Sequence, residues 1–343
     1  MRNEGPFIVE WLCWYRMLGF NHAVVVTNNC TDHSPQLLDA LQNAGLVHHI
    51  RHDVEPGKNI TRAKLKAAAS HSLVRRASWL MICDVDEFLV IHRGEGLIGD
   101  LIDLSANPPA FLGMSLNWRV FGTSGRSNFE DRPVHRQFTH AHKASHPSSR
   151  FVKSIFRLPS YFSHLTEHSP RGFFFERALR RRGVSEATWV NSEGAKLPRW
   201  QPTDKHLTVM PKALVSHDVA QINHYMLRSV ETYQLKRGTK SPVALGDRYS
   251  PRYFRNADAG REMDISAFRY SARFDALHEQ VMALPDVARM HALCCADHVR
   301  AIAEKAGKQA EDDPRYVAFM QRAEALAAEA EASTEAERLP PED

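Results

Sequence analysis

Hydrophobic positions in the N-terminal third follow two periods in turn. Ile8, Trp11, Leu12, Tyr15 and Leu18 recur at helical spacing, with Pro6 suited to a first turn and Gly19 to a C-terminal cap. Residues 23–27 then read as a buried strand and residues 28–34 as a polar loop. Ser34-Pro35 opens a second helix that runs to Ala44. A short strand at 46–50 leads to a helix at 59–76, whose Arg62, Lys64, Lys66, Arg75 and Arg76 read first as a solvated basic face. Residues 79–83 form a further apolar run that ends at Asp84. Beyond the carboxylates Asp84, Asp86 and Glu87, a second apolar run occupies residues 88–91. This alternation predicts an α/β protein built on a doubly wound sheet.

The pattern loosens further on. A short helix is expected at 97–104, a strand at 114–120, a glycine-bearing turn at 121–125 and another strand at 151–157. The polar, His-rich residues 126–150 read as an active-site loop or lid, and 163–211 as loop-rich. A helix is expected at 219–236, with Asn223-His224-Tyr225 near its start, followed by amphipathic helices at 263–284 and 287–306. From about residue 308 an Ala/Glu-rich helix runs into a frayed tail. The expected division is a catalytic unit at 1–240, made of a donor half at about 1–110 and an acceptor half at about 111–240. Helices at 241–307 pack on it, and 308–343 is solvated.

Composition narrows the class. With 43% hydrophobic and 24% charged residues and a net charge of +4, the 343-residue chain is an ordinary globular one that tolerates an anionic substrate. It has no zinc-finger spacing or aromatic RNA-binding signature. Five scattered cysteines without a C-x-x-C pair read as reduced thiols, and no apolar run is long enough to span a bilayer. A soluble, cytoplasmic protein is expected.

The chemistry gathers at Asp84-Val85-Asp86. Two carboxylates one residue apart on an extended chain point to the same side. They offer hard oxygen ligands to Mn²⁺ or Mg²⁺, which would neutralise a substrate's phosphates. The position, just past an apolar strand, is where open α/β sheets bind ligands. The plain alternative is an acidic strand end that stays hydrated.

The run from Arg2 to Leu12, then Gly19-Phe20, Thr31-Asp32, residues 84–89 and Asn223-His224-Tyr225, resembles bacterial glycosyltransferase family 2. Asn117 to Gly122, Trp189-Val190-Asn191 and Leu227-Arg228-Ser229 leading to Lys236-Arg237 are similar as well. The resemblance implies a GT-A fold with a mixed sheet and an inverting, metal-dependent transfer from a nucleotide diphosphate sugar to a surface-polysaccharide or lipid-linked acceptor. It implies Asp86 as metal ligand, Asp84 as ribose or metal contact, and His224 as a further ligand or a helix-start hydrogen-bonding residue. Glu87 is expected to cap the next segment. Asn3, Glu4 and Asp32 would approach the nucleotide or cap helices, and Arg62 and Lys66 would reach phosphates. Asp131 is the expected general base, with Glu130 as fallback, and Trp118 and Trp189 stack on a sugar or pack. In that family a strand precedes the Asn-Glu motif, whereas this chain opens at the motif. The acidic residue many members carry after the second strand is Asn28 or Asn29 here. A truncated, non-catalytic nucleotide-sugar-binding remnant is therefore the alternative expectation. A nucleotidyltransferase would need a Gly-rich phosphate loop, which the first helix lacks.

Overall fold

The computed structural model describes residues 1–103, 111–183, 187–197, 207–239 and 249–338, except for the side chains of 333–338. The first helix, α1 (Gly5–Met17), buries every residue but Arg16. A helix apolar on one side needs one neighbour, whereas one buried all round must be surrounded. Around α1 lie α2 (Ser34–Asn43), a sheet strand, and the C-terminal helices Ser271–Met282 and Val287–Lys305. Trp14, fully buried, meets Phe88, His135 and Tyr270 edge-on or tilted and donates its indole N–H to the Leu89 carbonyl at 2.8 Å. Gly5 allows the closest approach, because a Cβ there would sit 2.5 Å from the Cys294 side chain.

Strands β1 (Val24–Thr27) and β2 (His48–Arg51) form a parallel pair. Among the described residues this pair is not hydrogen-bonded to the main sheet. Met1 bridges to it, with its amino group donating to the Val26 carbonyl at 2.5 Å and its carbonyl accepting from Asn28 N–H at 3.2 Å. The main sheet contains β3 (Trp79–Met81), β4 (Glu87–Ile91), β5 (Gly113–Val120), β6 (Val152–Arg157), β7 (Trp189–Asn191) and β8 (Ala220–His224). Its order is β3-β6-β5-β8-β4, with β7 also paired to β5. β5 gives one edge to antiparallel β6. Two parallel neighbours share the rest of its length, β7 along residues 113–115 and β8 along 118–120. The α/β class and the expected mixed sheet hold, but among the described residues the parallel β1–β2 pair stands apart from the main sheet.

Several local expectations change. Residues 220–224 are a strand, not the start of a helix; the helix begins at Val230 and ends at Lys236. β8 is buried at all five positions because it lies between antiparallel β4 and parallel β5. The strand keeps a short apolar–polar alternation from Ala220 to Asn223, but its polar members Gln221 and Asn223 are buried as well. The helix expected at 59–76 breaks at His71, which is extended, into Ile60–Ser70 and Ser72–Arg76. The region 163–211 holds short strands and the helix Phe175–Arg182. The His-rich segment at 126–150 is partly interior, with His135 and His142 buried. Position 104, the 240/241 boundary and the tail at 339–343 lie outside the described residues. Among the described residues, no helix is long and apolar enough to cross a membrane.

The C-terminal helices join the same hydrophobic core as α1, β4 and β8, which contains Phe7, Phe88, Ile222, Phe274 and Val299. Glu10 is the buried charge that orders one side of it. Its carboxylate accepts from the backbone N–H groups of Val134 at 2.7 Å and His135 at 3.2 Å, and lies 2.7 Å from the His135 ring Nδ1. Removing that acceptor strands buried donors, each costing about 1–3 kcal/mol. Glu10→Ala is therefore expected to lower unfolding free energy by about 3 kcal/mol or more in urea titrations. Glu10→Gln, which keeps one acceptor oxygen, is expected to lose less. Equal denaturation midpoints for wild type and Glu10→Ala would show that the turn at 134–137 is held by other contacts.

Candidate active site

The chain leaves the sheet at one edge strand, β3, and re-enters at the opposite edge strand, β4. The Asp84–Glu87 segment turns at the sheet's end between them. The turn is closed by Glu87 N–H donating to the Asp84 carbonyl at 3.1 Å. Asp84 N–H returns a bond to Glu87 Oε2 at 2.8 Å, so Glu87 caps the turn. Val85 is driven into the core. Tyr225 N–H donates to the Asp86 carbonyl at 2.8 Å and ties the turn to the end of β8.

Lys153 on β6 lies beneath the turn. Its ammonium is 3.0 Å from Asp84 Oδ2 and 3.0 Å from Glu87 Oε2, and its side chain is 1% exposed. The Asp84 carboxylate opens to solvent at 64%, whereas Glu87 is completely enclosed. Lys153 holds the Asp84 carboxyl below its usual range, against the repulsion of the neighbouring Asp86. Burial pushes Glu87 up to about 7 in spite of Lys153. The two carboxylates in turn keep Lys153 protonated far above its usual range, although burial alone would lower it.

Asp86 faces a second set of groups. His224 Nε2 lies 3.6 Å from Asp86 Oδ1 and Lys236 Nζ lies 3.7 Å from Oδ2. Burial pushes the Asp86 carboxyl upward, but His224, Lys236 and Arg228 together hold it well below its usual value. A 3.6 Å gap is too long for a good hydrogen bond. It suits two donors of one ion, and His224 Nδ1 is buried without a partner. His224 packs edge-on against Trp118 at 4.3 Å. Asp86 and His224, with Asp84 two residues earlier on the turn, are oxygen and imidazole donors of the kind a divalent cation takes. Among the described residues, however, the three are not gathered within 4.8 Å of one another, and Asp84 turns to Lys153 instead.

Arg228 joins the N-terminal motif to this group. It bonds Glu4 Oε2 at 2.7 Å, its guanidinium lies 3.5 Å above the Phe7 ring, and its side chain is 2% exposed. Its Nε and Nη2 are buried with no partner. Two unsatisfied donors on a fixed cation suit a bound anion.

The remaining expected residues are placed as follows. Asn3 has a left-handed backbone (φ 52) and exchanges bonds with Thr31, at 2.8 Å to its hydroxyl and 2.9 Å from its N–H. Asp32 accepts from Ser34 N–H and hydroxyl at 3.1 and 2.7 Å, one residue ahead of the N-cap position His33 of α2. Arg62 and Lys66 are exposed on a helix with no buried residue. No described contact joins them to the turn. Trp118 stacks on Phe151 at 5.1 Å, and Trp189 is buried against Phe156 with its indole bonded to Ser115, so both pack. Asp131 is not brought to the turn. Its carboxylate is turned toward the C-terminal helices, 3.0 Å from His291 Nε2, while Glu130 pairs with Arg126 and Arg132. Lys153 was missed, as were the roles of Arg228 and Lys236. The one signal for Lys153 is a charged residue between apolar neighbours Val152 and Ile155–Phe156 in a strand expected to be buried.

No solved structure matches the chain. Over 105 residues the chain is 29% identical to a glycosyltransferase family 92 protein of Ricinus communis; that stretch covers 29% of this chain and 17% of the relative. The family 92 model matches residues 3–228, from the Asn3-Glu4 motif through the turn and β8 to Arg228. The motifs that resemble family 2 are thus glycosyltransferase motifs of another family, and the chain belongs to glycosyltransferase family 92.

Proposed function

We propose that this protein is an inverting glycosyltransferase with a GT-A-like site, transferring a sugar from a nucleoside diphosphate donor to a glycan or lipid-linked acceptor. The observation that carries the reading is the Asp84–Glu87 turn itself. A carboxylate pair meets His224 from a distant strand, and Lys153, Lys236 and Arg228 surround it. Asp86 and His224 would hold Mn²⁺ or Mg²⁺, with Asp84 two residues earlier on the turn. When bound, the ion supplies positive charge to a departing diphosphate. The chain's own groups do the rest. Arg228, braced by Glu4 and Phe7, offers two free donors to phosphate or nucleotide oxygens. Lys236 adds charge beside Asp86. Lys153 keeps Asp84 ionised and fixed. Fixed charges of this kind stabilise a developing anion without reorganising.

Asp86→Ala is expected to lose the Mn²⁺-dependent thermal stabilisation given by UDP, GDP or ADP. A ligand at about a hundred times its dissociation constant raises stability by about 2.7 kcal/mol. A mutant that keeps the full diphosphate-plus-Mn²⁺ shift removes Asp86 from the site. Donor hydrolysis assayed with and without Mn²⁺ tests the activity itself, and no turnover with any common nucleotide sugar counts against the reading.

Lys153→Met leaves the buried Glu87 without its cation and is expected to cost about 3–5 kcal/mol. Adding Glu87→Gln should recover a large part of that loss, which a double-mutant cycle in urea reads directly. Additive losses would mean that the pair does not interact. Glu87 also predicts a pH dependence. With its carboxyl raised from 4.5 to about 7, its contribution is fully present below about pH 4.5 and is lost as pH rises toward 7. That falling segment should be absent from the stability profile of Glu87→Gln.

A further inference from the structure

We propose that Asp131, His291 and Cys295 form a Zn²⁺ site that fastens the loop before Val134 to the C-terminal helices. His291 and Cys295 lie four residues apart in the helix Val287–Lys305, so their side chains rise from one face. Asp131 reaches them from a segment 160 residues before His291. The three donor atoms all lie within 4.8 Å of one another.

The distances match one ion rather than three unrelated neighbours. Zn–N of about 2.05 Å and Zn–S of about 2.3 Å at a tetrahedral angle put nitrogen and sulfur about 3.6 Å apart. Cys295 Sγ and His291 Nε2 are 3.6 Å apart. The matching nitrogen–oxygen edge is about 3.4 Å. His291 Nε2 and Asp131 Oδ1 are 3.0 Å apart, so a small opening of the hydrogen bond would admit the ion. A thiolate, an imidazole and a carboxylate are a borderline-soft set, which favours Zn²⁺ over Mg²⁺ or Ca²⁺.

Burial gives the site an inside and an entrance. Cys295 is fully buried and His291 is 7% exposed, whereas the Asp131 side chain is 30% exposed. A fourth ligand can come from water on the Asp131 side. Arg322 is an exposed cation whose charge also favours the ionised forms of Asp131 and Cys295. Burial and Asp131 push the Cys295 thiol up, so binding Zn²⁺ releases the thiol proton to solvent.

The site also bears on the small cavity beside Arg228. Phe129 and Glu130, just before Asp131, line a pocket with Phe7, Arg228 and Thr232. An ion at Asp131 would hold that wall in place, making Asp131 a metal ligand rather than a base.

The test uses the full chain, stripped with a chelator and titrated with Co²⁺ and then Zn²⁺. One equivalent of Co²⁺ should produce a thiolate-to-metal charge-transfer band that Zn²⁺ removes. Cys295→Ser should abolish the band, Asp131→Asn should weaken Zn²⁺ binding by about tenfold or more, and Asp86→Ala should leave the band intact. No band in the wild type, or an undiminished band in Cys295→Ser, overturns the site. If Cys295→Ser does not fold, Asp131→Asn decides, since it alters a partly exposed residue; unchanged Zn²⁺ affinity then overturns the proposal.

Discussion

Everything at the sheet's end depends on an ammonium placed where water cannot reach it. Residues 84–87 carry three carboxylates, and folding brings the first and last within 3.0 Å of Lys153 Nζ. Burying one unpaired charge costs several kcal/mol, and like charges at this spacing repel. Lys153 resolves both problems from an adjacent strand, and its cost is offset only if the geometry holds. The tight turn, the Glu87 cap and the burial of β4 are therefore one arrangement. The same lysine leaves Asp84 with an open face toward solvent while Asp86 engages His224 and Lys236. The two acidic side chains, alike in sequence, are thus set in different electrostatic surroundings by their partners.

The sequence made some of this visible and concealed the rest for identifiable reasons. Helical spacing located α1, and the apolar runs on either side of Asp84 located β3 and β4. Those signals did not show that the two runs occupy opposite edges of one sheet, since edge position is decided by strands that come later in the chain. His224 was placed in a helix because the alternation of Ala220-Gln221-Ile222-Asn223 is only four residues long and runs toward the true helix at Val230–Lys236. The strand's polar members are buried because they bond one another and the 264–266 segment, as Gln221 does with Asn223 and Asp264 at 2.7 and 3.0 Å. Lys153 and Arg228 gave little warning, because their partners lie 69 and 224 residues away. A single sequence shows a charge but not the opposite charge folded onto it.

The motifs led to the right kind of enzyme family and the wrong member. An Asn-Glu start and an acidic turn after an apolar strand answer to the demand for holding a charged donor, and that demand is met in more than one family. What the structure adds is the route between the two motifs. Glu4 holds Arg228, and Arg228 is among the cations that depress Asp86. Residues at the chain's start therefore tune a carboxylate about eighty positions later through a third residue beyond position 220.

The packing around α1 has a further implication for how the molecule can be divided. The family match ends at residue 228, yet α1 lies against the helices Ser271–Met282 and Val287–Lys305. At Gly5 the contact leaves no room for a methyl group beside Cys294. The stretch that carries the recognisable chemistry is thus not a self-sufficient folding unit. Cut at its own boundary, it would expose one flank of a helix that has no polar flank to offer. The matched stretch and the packed core differ in extent in this chain, and the second is the longer.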